Sequence, residues 1–131
     1  MYGYAVDHLA LGAGLAASGD EHERRELSRL LSDALGGGPF LEFPALCVAA
    51  AERVRSGLAD HLAEIVIAAQ PGSVTVPGLS LTAQLSRLRV MHPALGWPAT
   101  HAAALALAWH LPIMTTDPGA YDGVAVDVIP L

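Results

Sequence analysis

The chain has 131 residues, enough for one full core, and a net charge of −6 in which arginine supplies all seven cations. That balance argues against a general nucleic-acid coat, which must neutralise phosphates. Apolar residues make up 53% and charged residues 15%, against about 45–50% and about 25% in an average globular chain. Part of the apolar surface is therefore expected to lie against a partner, most simply a second copy in a homodimer. No apolar run approaches the ~20 residues of a membrane span, and the N-terminus lacks the basic and apolar regions of a secretory leader. Cys47 is the sole cysteine, so no internal disulfide forms, and a single cytoplasmic domain over 1–131 is expected.

Residues 2–6, "YGYAV", read as a strand, and a helix is expected over 8–17. The next helix is the clearest. Asp20 and Glu23 have capping-box spacing, and Leu27, Leu30, Leu31, Ala34 and Leu35 form one stripe that a GGGP run ends. "FLEF" is a short extended piece, and Pro44 opens the helix "PALCVAAAERVR" at its first position. A break at Ser56-Gly57 precedes the helix "LADHLAEIVIAAQ", which Pro71-Gly72 stops. "SVTV" reads as a strand and "LTAQLSRLRVM" as a helix. Pro98 then opens "ATHAAALALAWH", and "PIMTT" and "VAVDVI" are strands. Strands separated by helical stretches of ten or more residues imply crossovers, hence an α/β fold with a mainly parallel central sheet.

In such sheets ligands sit beyond the carboxyl ends of strands. Asp7 and Asp117 each follow a strand, so the fold is expected to bring them into one cleft despite their separation in sequence. Two carboxylates at strand ends suit a hard cation such as Mg²⁺ or Mn²⁺. The plainer reading is that each aspartate starts a helix or turn, and Asp117-Pro118-Gly119 has good turn chemistry.

Several segments together resemble the PIN-domain family, in particular the VapC-type toxins of bacterial toxin–antitoxin pairs. They are the strand ending at Asp7, the "PALCVAAAERV" helix, the unit "THAAALALAWHLPIMTTD" and the final "VDVI". The resemblance implies a three-layer PIN-like fold and, in active members, a metal-dependent ribonuclease. There the acids hold metal and activate water for phosphodiester attack. Carried over singly, the first acid falls on Asp7 and the last on Asp117, with Thr115 as its hydroxyl neighbour. The other two acids fall on Ala50 and Ala99. The resemblance therefore implies a degenerate site in which Asp7 and Asp117 hold at most one weakly bound Mg²⁺ or Mn²⁺. It also implies RNA or an antitoxin-like protein as partner. The alternative is an active ribonuclease that recruits a further acid, Asp122.

The remaining polar residues are expected to be structural. Glu52 and His101 lie two positions beyond Ala50 and Ala99, roughly 200° round a helix and on its opposite face. Glu42 reads as a surface charge, and Asp122 as a solvated loop acid. His8, His22, His61, His92 and His110 show no paired ligand spacing, and hard cations do not select them. The glycine run after the second helix reads as its stop, not a phosphate loop. Trp97 and Trp109 bracket the helix before Asp117 and are expected in core or interface rather than stacked on bases.

Overall fold

The computed structural model describes residues 2–15 and 20–131. In chain order the elements are β1 (Gly3–Val6), α1 (His8–Leu15), α2 (Glu21–Leu35), β2 (Phe40–Glu42), α3 (Ala45–Val54), α4 (Leu58–Ala68), β3 (Val74–Thr75), α5 (Thr82–Met91), α6 (Gly96–Trp109), β4 (Ile113–Thr115) and β5 (Val128–Pro130). Short 3-10 turns cover Pro93–Leu95 and Pro118–Tyr121. The end of the helix expected over 8–17 lies outside the described residues.

All five strands run parallel, in the order β3-β2-β1-β4-β5. The six helices flank the sheet, an arrangement consistent with a three-layer PIN-like fold. Alternation along the strands divides the core in two. Val6, Leu41, Val74 and Met114 join one cluster with residues of α1, α2, α3 and α4. Ala5 and Ile113 join the other with α6, Cys47 and Tyr121. Each fully buried leucine in the first cluster, such as Leu11, Leu27 or Leu41, stabilises by about 1.5–3 kcal/mol relative to exposure.

The capping box forms as expected: Asp20 Oδ1 accepts from Glu23 N at 2.8 Å, and Glu23 Oε1 accepts from Asp20 N at 2.9 Å. Leu27, Leu30, Leu31 and Ala34 are buried, but Leu35 is exposed at the last turn and leaves the stripe. A Cβ on Gly14 would collide with the Leu27 side chain, so glycine there lets α1 lie against α2. Helix α6 starts at Gly96, with Pro98 inside its first turn rather than before it. Its alanines from Ala99 to Ala106 are buried on all sides, because small side chains let the helix sit close to sheet and neighbours. The final strand is shorter than expected. Val124 and Val126 pack on the second cluster instead of pairing, and only Val128–Pro130 joins β4.

Candidate functional site

The strand order places the switch point at β1, with β2 and β3 to one side and β4 and β5 to the other. Ligand crevices in open parallel sheets form at that point. Asp7 stands there. Its N–H donates to Met114 O of β4 at 3.2 Å, and its Oδ1 accepts from Ala10 N at 2.9 Å, which caps α1. The side chain is fully buried.

The second carboxyl oxygen is held by a residue absent from the sequence expectations. Tyr121 donates its hydroxyl to Asp7 Oδ2 at 2.7 Å. The ring is 2% exposed and packs with Ala5, Cys47, Ala99, Ala102 and Ile113. Burial, then the charge of Asp7, push the Tyr121 phenol far above its ordinary range, so it remains a donor at any physiological pH. Cys47 lies beside the pair. Its thiol donates to Pro98 O at 3.1 Å, and burial followed by the Asp7 charge push its pKa up as well. That is the setting of an inert thiol. Burial outweighs the same aspartate at His8, whose pKa is lowered.

Thr115 is fully buried at the end of β4, and its hydroxyl accepts from Asp117 N at 3.2 Å. It shapes the turn that presents Asp117. Asp117 itself is exposed, and the 3-10 turn it starts delivers Tyr121. After burial, the charge of Asp7 and, least, that of Asp117 raise the Tyr121 pKa. Asp7 is buried beneath the Tyr121 hydroxyl, whereas Asp117 is exposed. Asp122 is also exposed, and its Oδ2 and Asp117 Oδ1 both lie within 4 Å of the position a Cβ on Gly119 would take.

Ala99 is 3% exposed and shares a cluster with the Tyr121 ring and Cys47. Ala50 is half-buried on α3, one turn beyond Cys47. Glu52 caps α4, accepting from Gly57 N at 2.9 Å and Ala59 N at 2.8 Å. His101 is a satisfied core histidine: Nδ1 accepts from Leu46 N at 3.3 Å, and Nε2 lies 3.2 Å from Gly78 O. Trp97 and Trp109 are largely exposed rather than core, and Arg89 lies over the Trp97 ring at 5.0 Å. Glu42 is not a surface charge. It closes β2, is half-buried, and keeps one buried oxygen without a hydrogen-bond partner among the described residues.

These donors do not fit a hard cation as arranged. Mg²⁺ demands near-ideal octahedral geometry and keeps several waters beside one or two carboxylates. Asp7 has each oxygen engaged and no exposed surface to admit those waters. Among the described residues no three His, Cys, Asp or Glu side chains converge to hold a metal ion. No family model and no curated protein matches the chain. Among the described residues no helix is long and apolar enough to cross a membrane.

Proposed function

We propose that this protein is a degenerate, PIN-like binding protein of the cytoplasm with little or no nuclease activity. One observation carries the reading: the strand-end carboxylate that would serve as a metal ligand is sealed under Tyr121, with its two oxygens accepting from Ala10 N and the phenol. A buried, fully hydrogen-bonded carboxylate supports structure and offers no open position for substrate or water.

The partner this reading favours is protein rather than RNA. Helix α5 buries only Leu85 of its ten residues, and Val90 and Met91 at its end are 81% and 67% exposed. Beside it a groove of about 420 Å³ runs between Leu88, Met91, Ala104 and Leu107. Contiguous apolar surface of this kind marks association sites, and a two-fold homodimer is the commonest form. An antitoxin-like chain is the other protein occupant. RNA is disfavoured by the net charge of −6. Sedimentation at micromolar concentrations should show a dimer that Met91→Glu dissociates. A monomer throughout sends the surface to a different chain, and RNA binding that falls steeply with salt would displace the protein reading.

A second reading has its own observation. Asp117 and Asp122 both approach Gly119, so an active ribonuclease would use them with Asp7 once the Tyr121 turn moved aside. Metal-dependent cleavage lost in both Asp7→Asn and Asp122→Asn would favour it.

A further inference from the structure

A second pocket, of about 200 Å³, lies at the opposite end of the sheet, lined by Tyr2, Phe40, Glu42, Trp109, His110 and Leu111. Gly3 and Phe40 begin β1 and β2 and Leu111 precedes β4, while Glu42, the last residue of β2, completes a lining that includes none of Asp7, Thr115, Asp117 and Tyr121. The pocket is therefore separate from the site above. Its walls are aromatic: Tyr2 and Trp109 are 66% and 63% exposed, and Phe40 is half-buried. A Cβ on Gly3 would fall 2.6 Å from the Phe40 ring, so glycine is what lets that ring lie across β1. His110 adopts a left-handed conformation, φ 55°, which ends α6 and turns the chain so that Trp109 and Leu111 line one pocket.

Glu42 supplies the chemistry. Its Oε2 is buried, and no donor among the described residues reaches it. Burial pushes its pKa up. A buried acceptor left unmade is costly, and a buried carboxylate more so.

We propose that this pocket binds an organic cation bearing N–H groups, an alkylammonium or guanidinium head. Glu42 is its counter-ion, and Tyr2, Phe40 and Trp109 are its walls. Aromatic faces attract cations, tryptophan most strongly. An N–H donor can hydrogen-bond the Glu42 carboxylate in the pocket lining, which a quaternary ammonium or a neutral apolar ligand cannot. The carboxylate repels an anion. A hard metal ion needs several oxygens, and Glu42 is the one carboxylate lining the pocket. The volume is below the roughly 300–1,000 Å³ of pockets for drug-sized ligands, so it suits a head group rather than a nucleotide. The net charge of −6 favours a cation at the entrance. The head group has two sources, a free amine or a lysine or arginine side chain of another chain.

The test uses Trp97→Phe, whose remaining tryptophan fluorescence reports Trp109. This protein is titrated with n-butylammonium, n-butylguanidinium, choline, and end-blocked Gly-Lys-Gly and Gly-Arg-Gly peptides. Saturable binding is expected for the N–H cations, with Kd on the order of 1 mM, and weaker binding for choline. Glu42→Gln should weaken binding roughly tenfold, about 1.4 kcal/mol. Tighter binding of the blocked peptides than of the free amines assigns the ligand to a partner chain, and the reverse order assigns it to a small amine. Affinity should also fall as pH drops through the raised Glu42 pKa, because protonation removes the counter-ion. His110 also lines the pocket. His110→Asn, which tolerates the left-handed backbone, should keep the pH dependence. No saturation by any N–H cation, or unchanged affinity in Glu42→Gln, overturns the proposal. If Glu42→Gln does not fold, pH-independent binding in His110→Asn overturns it instead.

Discussion

At the scale of single residues, the decisive interaction is the hydrogen bond from Tyr121 to Asp7. Asp7 was legible because a short apolar strand runs straight into it. Tyr121 was not, because nothing local marks a tyrosine four residues after Asp117 as the lid of a carboxylate 114 positions away. Ala50 and Ala99, where the resemblance would put acids, were a visible hint. The small side chain of Ala99 leaves space in the cluster it shares with the Tyr121 ring, and the same tyrosine satisfies Asp7. Tyr121→Phe keeps the packing and removes the donor to a buried charged acceptor. It should cost about 1.5–3 kcal/mol of stability, the range for hydrogen bonds to charged groups. Urea unfolding of parent and variant measures the difference, and a change within experimental scatter would mean that the carboxylate has found another donor.

At the scale of elements, the helices were read well, because capping, glycine stops and apolar periodicity act locally. The strands were read less well. "FLEF" carries little signal, yet Phe40–Glu42 pairs with both β1 and β3 near the centre of the sheet. "SVTV" contributes only Val74 and Thr75. Strands this short are fixed by the neighbours they pair with, which a single sequence does not display. His101 ties three elements together, joining α6 to the start of α3 and to the loop at Gly78. That geometry admits one protonation state: Nδ1 bare to accept, Nε2 protonated to donate. Burial accordingly lowers its pKa below the ordinary 6.5. Below 6.5 the unfolded chain takes up a proton that the folded chain resists, so stability falls with acid and is full above that value. His8 acts in the same direction. Glu42 opposes them lower in the range, since its raised pKa makes protonation favour the folded state. Unfolding followed from neutral pH to about 5, across the range where histidine titrates, should show a loss that is smaller in His101→Gln. An equal loss in the two proteins would place the acid sensitivity elsewhere.

At the scale of the whole molecule, the parallel sheet puts its switch point where a catalytic crevice would form and then closes it with the molecule's own side chains. The apolar surplus goes into the buried alanine-rich stretch Ala99–Ala106 of α6 and into the exposed end of α5. Asp7, buried at the switch point, has both carboxyl oxygens held by the protein's own donors, Ala10 N and the Tyr121 hydroxyl. Melting of the purified protein in chelator, Mg²⁺ and Mn²⁺, with RNA cleavage followed in the same buffers, tests this most directly. A ligand that binds only the folded state raises its melting temperature by mass action. The account predicts superimposable melts at millimolar metal and no cleavage. Saturable, metal-dependent stabilisation with cleavage that Asp7→Asn abolishes would contradict it.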